Sequence, residues 1–470
     1  MKTILDYISE KLKDSFDVKK REVDTALGKA TLIFIDNLIG TVFVSEYIVA
    51  PLRRARDCIK SVEEVANNIL DINIVGFAKN ADDAVLHILS GDVIIIFEES
   101  DKIIFCEAKG FVRRGVATPI TEAVIKGPRE GFTETFVDNI ALIRRRVKNP
   151  DLKFEPIFAG KKSNTVVCLG YIKGIAPQNL VDSIRDTVKN LNYEFILDTN
   201  YVEDKLKAKK TLFDTIGYTE KPDEVVAKMM EGRIAILVDG TPFAITAPYF
   251  FLENFHAPDD YYLNKYFTNF TRMLRWVAFF LATFLPGIYV AVTTYHFQLI
   301  PSLFVYRLAV ARAGVPFPAS VEVIIMMIFF QIVKEAGLRL PQPIGTAMSI
   351  VAALILGDAA AGAGITSRVT ILVIAVSTVS YFLVPKVYGA VAIWSVIIVL
   401  FASFYGLPGF FIGCLVFLTH LSGLKSCDYN YLFPLGTKKN YSFKDIVLRG
   451  NLDNISDKII NEDDLNEENK

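Results

Sequence analysis

The feature that most constrains this chain is the separation of its charged and apolar residues along the sequence. Most of the Lys, Arg, Asp and Glu side chains fall within residues 1–240, whereas residues 273–424 hold very few. A helix needs about 20 consecutive apolar residues to cross a bilayer, and runs of this kind occur only in the second region. The sequence therefore predicts a water-soluble α/β part followed by an all-α polytopic transmembrane bundle.

Composition excludes several classes of protein. The N-terminus has no apolar stretch of the kind found in signal peptides, so we expect the first 240 residues to stay in the cytoplasm. The five cysteines and four histidines are scattered, which argues against disulfides and against a metal site. No phosphate-binding loop, dinucleotide motif or hydrolase motif is present. We therefore expect neither an enzyme nor a bound cofactor.

Alternating apolar residues and turn dipeptides predict two small α/β lobes, at residues 1–155 and 156–247. Hairpins are expected at residues 93–108 and around Asp239-Gly240, with a strand at Thr165–Ile172. Helices are expected at about residues 130–148 and 177–191.

A basic cluster at the end of the first of these helices allows two interpretations. Arg144, Arg145, Arg146 and Lys148 could contact anionic lipid or nucleic acid. They could equally form a solvated helix end, where cations complement the helix dipole. We favour the solvated helix end and expect no nucleic-acid partner.

Residues 248–272 are rich in aromatic side chains and end close to Arg272 and Arg275. Aromatic rings with polar tips prefer the headgroup layer, and arginines mark the cytoplasmic flank of a span. We expect this segment to lie on the bilayer surface, the alternative being a buried aromatic core. Residues 425–470 are predicted to form a cytoplasmic polar tail.

The membrane part, residues 273–424, contains five good candidate spans: Met273–Tyr295, Gly345–Ala361, Val369–Val384, Tyr388–Tyr405 and Pro408–Gly423. The apolar run Val321–Val333 is short for a span. Because both ends of the chain are expected in the cytoplasm, the number of crossings must be even. Six crossings, counting the short run, are favoured over four.

Charges and prolines interrupt this apolar region directly after the short run. They are Lys334, Glu335, Arg339, Pro341 and Pro343. A charge at the centre of the bilayer costs about 3 kcal/mol on insertion scales, so these side chains should avoid lipid. We expect a sharp link after a short helix, at an interface or in a wet cavity, with a structural or gating role.

The short helix itself has one weakly polar face. At about 100° per residue, Ser320, Met327, Gln331 and Lys334 fall within an arc of about 60°. We call these four residues the polar stripe. Several copies around an axis would make the polar stripe a pore lining; a single helix–helix contact through Gln331 is the other interpretation.

The next apolar run has small residues at every fourth position, a pattern that lets membrane helices approach closely. These residues are Gly345, Ser349, Ala353, Gly357 and Ala361. Asp358 follows in the same run. An acidic group there is a functional candidate, or else a residue at a helix end.

Five stretches resemble the A subunit of GerA-type spore germinant receptors. They are "KGPREGFTETFVDNIALIRRRVKNPDL", "EGRIAILVDGTPFAIT", "DDYY", "VPFPASVEV" and "KEAGLRLPQPIGTAMSIVAALILGDAAAGAGITS". The sequence departs from the family pattern at Gln331 and in "GDAAAGAG", which concerns the surface of these helices.

The resemblance implies a subunit of the spore inner membrane that acts with a transporter-like B subunit and a lipoprotein C subunit. It also implies a homo-oligomer that forms a nutrient-gated ion channel, with the 320–334 helix near the pore. A free-standing secondary transporter is the alternative, but such carriers have two matching broken halves. The sequence has one broken region and no internal repeat.

Overall fold

The computed structural model describes residues 4–55, 61–110, 122, 124–339, 355–435 and 445–455. The strands are β1 Val18–Thr25, β2 Gly28–Ile35, β3 Val75–Phe77, β4 Asp92–Phe97, β5 Ile103–Glu107, β6 Leu152–Ala159, β7 Thr165–Ile172, β8 Gly217–Thr219, β9 Ile234–Val238, β10 Ala244–Ala247, β11 Lys425–Ser426 and β12 Tyr429–Asn430. The helices of the first half are α1 Ile4–Lys11, α2 Thr41–Val44, α3 Ala50–Arg54, α4 Val62–Glu64, α5 Ala81–Leu89, α6 Phe136–Arg146, α7 Gln178–Lys189, α8 Asn200–Leu206 and α9 Pro222–Met230. Those of the second half are α10 Asp259–Tyr262, α11 Lys265–Thr294, α12 Ser302–Arg312, α13 Ala319–Arg339, α14 Arg368–Tyr381, α15 Tyr388–Tyr405, α16 Leu407–Ser422 and α17 Leu452–Ile455.

The first lobe is a five-stranded antiparallel sheet in the order β1-β2-β4-β5-β3. Strand β4 is buried along its whole length, since both faces of the sheet are covered. Helices α1 and α5 pack on one face, where Ile88 meets Ile94. The predicted hairpin at residues 93–108 is confirmed as β4 and β5.

The second lobe is another antiparallel sheet, in the order β6-β7-β9-β10-β8. Helix α7 covers one face, and helices α6 and α9 cover the other. The predicted hairpin around Asp239-Gly240, the strand Thr165–Ile172 and the helix after Pro177 are all confirmed.

The boundary between the lobes lies earlier than predicted. Residue 155, where we expected the first lobe to end, falls inside strand β6 of the second sheet. Helix α6 also belongs to the second lobe, because Ile140 and Ile143 pack with Phe154 and Leu237. The two lobes therefore divide before α6.

The basic cluster is not a uniformly solvated helix end, which corrects our interpretation. Arg144 is only 1% exposed and forms two hydrogen bonds of 2.9 Å with the Asp17 carboxylate. Asp17 precedes β1, so this buried ion pair ties the second lobe to the first. Arg145 and Arg146 pair with Glu130 at the surface, as expected of a helix end.

The aromatic segment is a buried core over its first half, not a surface-lying segment. Tyr249, Phe251 and Phe255 pack in one apolar cluster with residues of α11 and α16. Only the later rings, Tyr266 and Phe267 among them, are exposed. These rings are buried because residues 425–435 pack against them.

The start of the predicted polar tail also belongs to this core. Tyr429 and Phe433 pack with Phe250 in the second lobe. Tyr431, which is fully buried, lies in the same cluster as Phe251. Residues 425–435 therefore return from the helical bundle and complete the second lobe.

The helices of the second half run back and forth between two ends of a bundle. At the lobe-side end, Lys386 contacts the second lobe. At the far end, the Tyr295 hydroxyl donates to the Ser403 carbonyl. Helix α13 extends to Arg339, so Lys334, Glu335 and Arg339 lie on the helix and not in the sharp link that we predicted.

Two helices in the described part of the chain are long and apolar enough to cross a membrane. They span residues Lys265–Thr294 and Pro385–Tyr405. Two shorter apolar helices, Arg368–Tyr381 and Leu407–Ser422, pack beside them. Helix α11 continues through Pro286 and is 30 residues long.

Candidate functional site

Three members of the polar stripe line one groove. A groove of about 400 Å³ lies between α13, α14 and α15, and Met327, Gln331 and Lys334 form part of its wall. Thr378 of α14 adds a hydroxyl group to the same groove, whereas the hydroxyl of Ser377 donates to the Ala282 carbonyl of α11. Polar side chains are rare on apolar helices unless they face a partner or a cavity. The groove is mostly apolar, with Gln331, Lys334 and Thr378 as polar groups in its wall.

Tyr388, at the start of α15, connects two members of the polar stripe. Its hydroxyl donates to the Gln331 side-chain carbonyl, and the Lys334 ammonium lies over its ring. Both contacts lie within one chain, so the stripe already has an intramolecular partner. Ser320, one end of the stripe, is half-buried and does not line the groove.

The open face of α13 lies next to the stripe. Ile328 is 51% exposed and Ile332 is 58% exposed, whereas Val323 and Met326 on the opposite side are buried. The stripe thus lies between the buried face and the open face of the helix. A second copy of the chain packed on the open face would enclose the groove.

A buried acid near the start of α13 was not among our predicted site residues. Glu322 is 0% exposed, and its Oε1 atom lies 3.1 Å from Nη2 of Arg312 on α12. The other carboxylate oxygen accepts hydrogen bonds from the Ser367 amide at 2.9 Å and the Thr370 hydroxyl at 3.0 Å. This cluster joins α12, α13 and α14 at the far end. The sequence signal for this cluster was a lone carboxylate in an apolar helix, because a buried carboxylate requires a positive charge or hydrogen-bond donors beside it.

The remaining predicted residues of this region divide into two groups. Glu335 and Arg339 form an exposed i,i+4 ion pair of 2.6 Å on α13. Pro341, Pro343, Gly345, Ser349 and Ala353 lie outside the described residues.

Only the end of the predicted small-residue ridge is described, in a helical stretch at residues 355–362. Gly357 is buried, and a Cβ placed there would lie 3.8 Å from Ile371 on α14. Ala361 is half-buried, and its neighbour Ala360 is 4% exposed. Asp358 is exposed. A Cβ at Gly357 would thus make only an ordinary van der Waals contact, and the close packing predicted for the ridge stays a prediction.

A second set of charges joins the bundle to the lobes. Lys386, between α14 and α15, lies 3.2 Å from Glu122 and 3.6 Å from Glu224 of the second lobe. Burial alone would raise the pKa of Glu224, but the ammonium groups of Lys228 and Lys386 outweigh it and lower that pKa. Glu224 is therefore ionised at neutral pH and holds Lys386 in place.

The base of α11 is fixed in the same way. Arg272 is fully buried and bridges Asp260 at 2.9 Å and Asp445 at 2.5 Å. Burial raises the pKa of Asp260, yet the hydrogen bond from Arg275 and the charge of Arg272 bring it below its ordinary value. We expected these arginines at a membrane surface, but they anchor the first long helix to the lobe side. Among the described residues, no group of three or more potential ligands is arranged to hold a metal ion.

Comparison with known proteins assigns this arrangement to a family. The family model for the Bacillus/Clostridium GerA spore germination protein matches residues 6–459. The uncharacterized membrane protein YfkQ of Bacillus subtilis is 34% identical over 438 residues, covering 92% of this chain and 85% of YfkQ. Spore germination protein KA of Bacillus subtilis is 32% identical over 423 residues, covering 89% of this chain and 78% of that protein.

Two further similarities extend the comparison. Spore germination protein GerLA of Bacillus cereus is 31% identical over 454 residues, covering 95% of this chain and 92% of GerLA. The crystal structure of the N-terminal domain of the A subunit of the Bacillus megaterium germinant receptor GerK3 has 30% identity, with a TM-score of 0.39. That alignment covers 53% of this chain and 94% of the GerK3 domain. The resemblance found in the sequence is confirmed: this chain belongs to the Bacillus/Clostridium GerA spore germination protein family.

Proposed function

We propose that this chain is a non-enzymatic membrane subunit of a germinant receptor, and that several copies assemble into a nutrient-gated ion channel. Helix α13 would line the ion path. In this proposal the subunit lies in the spore inner membrane with its lobes in the cytoplasm. It acts with a transporter-like B subunit, which takes the nutrient, and a lipoprotein C subunit.

The observation that supports this proposal most strongly is the groove beside α13. An ion crossing a membrane needs polar groups or water in place of its hydration shell. Gln331, Lys334 and Thr378 supply polar groups in a groove whose wall is mostly apolar. Because the neighbouring face of α13 is open in the single chain, assembly of copies through that face would close a polar path.

The charged contacts at the lobe-side end suggest how a signal would reach α13. Lys386 is held by Glu122 and Glu224 of the second lobe, and it lies two residues before Tyr388. Tyr388 in turn contacts Gln331. A movement of the second lobe would therefore shift Tyr388 against the polar stripe, which is a route for gating.

Replacing Gln331 by Leu tests the proposal in spores. The substitution keeps the size of the side chain and removes the amide, so the rate of ion release and of germination should change by about fivefold, as for the loss of one hydrogen bond of roughly 1 kcal/mol. The matched control is Leu418→Ile on the exposed side of α16, away from α13, which keeps an apolar residue and should leave both rates near those of the parent.

Protein levels in the spore membrane must be measured for both variants. If Gln331→Leu is present at the parent level and neither rate changes, α13 does not line the path. Purified chain that exchanged small solutes as a monomer would instead support a secondary transporter.

A further inference from the structure

A second cavity lies at the far end of the bundle, away from the groove. It has a volume of about 720 Å³ and lies between α12 and the turn that precedes α14. Arg307 and Tyr306 of α12 form one wall, and Gly364, Thr366 and Arg368 form the other. Nothing in the proposed channel path uses this cavity, so its chemistry needs a separate explanation.

The cavity has positive charge that the described part of the chain does not neutralise. Arg307 and Arg368 are both exposed, and no carboxylate is among the described residues that line the cavity. The third arginine nearby, Arg312, is already paired with the buried Glu322. Two unpaired guanidinium groups facing one cavity suit a phosphate, because each presents a planar fork of N–H donors.

Glycines that line the cavity leave room for a phosphate group. A Cβ added at Gly362 or at Gly314 would meet no atom within 4 Å. Gly314 and Gly364 also have positive φ angles, 91° and 69°, which side chains disfavour. Glycines thus keep part of the cavity wall free of side chains.

Helix α12 indicates that the phosphate belongs to a lipid. It has no buried residue, and Leu303, Phe304 and Tyr306 are 62%, 61% and 69% exposed. Tyrosine and arginine side chains at the end of a membrane bundle are typical of the membrane interface. Its apolar side chains would lie along acyl chains while Arg307 reaches the headgroup layer.

We propose that this cavity binds the phosphate headgroup of an anionic phospholipid, held between Arg307 and Arg368. The proposal rests on the membrane placement proposed above, and it adds a lipid ligand at the far end of α12. Since α12 leads directly into α13 and shares the Glu322 cluster with it, a bound lipid would fix the start of the proposed pore helix.

The test measures binding alone, in the purified full chain in a neutral detergent. Phosphatidylglycerol, phosphatidylcholine and inorganic phosphate are titrated separately against the parent and the double variant Arg307→Gln/Arg368→Gln. Phosphatidylglycerol should bind the parent at least about tenfold more tightly than the double variant, since each guanidinium contributes a charge-assisted hydrogen bond. Phosphatidylcholine and inorganic phosphate should bind the parent at least about tenfold more weakly than phosphatidylglycerol.

Two further variants keep the test decisive. Arg339→Gln removes an exposed arginine at the other end of the bundle and should leave the affinity unchanged. The double variant Arg307→Lys/Arg368→Lys keeps both charges and should bind at least about threefold more tightly than the glutamine variant.

Equal affinity of the parent and the glutamine variant for phosphatidylglycerol would overturn the proposal. So would inorganic phosphate binding as tightly as the lipid, because the site would then recognise a free anion. This binding measurement does not depend on ion flow. A negative result would therefore not bear on the channel proposal, which the Gln331 experiment tests.

Discussion

Buried charges at single residues hold the parts of this molecule together. Arg144 joins the two lobes through Asp17, Arg272 anchors α11 through Asp260 and Asp445, and Glu322 joins three helices. Each group is enclosed with its partner, so removing one member would leave an uncompensated charge in the interior. Such pairs add little net stability over apolar packing, but breaking them costs several kcal/mol.

Replacing Arg144 by Leu should therefore destabilise the protein by about 3–5 kcal/mol, because Asp17 would stay buried without its partner. Arg145→Leu is the matched control. It breaks a half-exposed pair with Glu130 and should cost less than about 1 kcal/mol. Thermal or denaturant unfolding measures the loss in free energy of unfolding for each variant. Equal losses for the two variants would show that the Arg144–Asp17 pair is not the link between the lobes.

Sequence spacing could not have identified the Arg144 pair. Asp17 and Arg144 are 127 positions apart, and neither belongs to a local motif. The prediction of a solvated helix end was correct for Arg145 and Arg146, which pair with Glu130 at the surface. Glu322 did have a local signal, because a lone carboxylate in an apolar helix must find a partner.

At the scale of elements, local pattern predicted the soluble half well. Apolar runs around a polar turn located the β4–β5 hairpin, a turn dipeptide located the β9–β10 hairpin, and Pro177 located the start of α7. Helix α13 was predicted too short, because Lys334, Glu335 and Arg339 look like the end of an apolar run. The structure accommodates them on the helix through the Tyr388 ring and the Glu335–Arg339 pair.

Close packing of α11 on α15 and α16 depends on Gly287. A Cβ at this position would lie 2.8 Å from Ile398 and 3.2 Å from Phe410. Gly287→Ala should destabilise the bundle by roughly 1–3 kcal/mol through overpacking. Gly389→Ala on α15, where a Cβ meets nothing within 4 Å, should be neutral or stabilising by up to about 1 kcal/mol.

Thermal unfolding of both glycine variants in detergent makes this comparison. Similar melting temperatures for Gly287→Ala and the parent would mean that α11 and α15 are less closely packed than described here.

At the scale of the whole molecule, the second lobe and the bundle share one apolar cluster. Tyr431 is fully buried, its ring packs near Phe213 and Phe251, and its hydroxyl donates to the Asp214 carbonyl at 2.9 Å. We predicted a polar tail here because charged residues dominate residues 436–470. The aromatic run "DYNYLFP" was the signal that its beginning packs inside.

Tyr431→Ala should therefore cost about 3–5 kcal/mol, the usual range for removing a large buried ring. The loss should affect both halves, so limited proteolysis would cut the second lobe and the bundle at lower temperature together. Tyr266→Ala, at a side chain that is 84% exposed, is the control and should change little. Destabilisation of only one half by Tyr431→Ala would show that the two halves fold independently.

The claim that the 320–334 part of α13 lines an ion path is tested most directly by ion flow through the purified chain in vesicles. Gln331→Cys is compared with Leu418→Cys, on the exposed side of α16, and with the parent, which retains its own cysteines, before and after a charged, water-soluble thiol reagent. The account predicts that the reagent blocks ion flow at Gln331→Cys and leaves the other two unchanged. Ion flow that persists at Gln331→Cys, whether the new thiol has reacted or stays inaccessible to water, would contradict it.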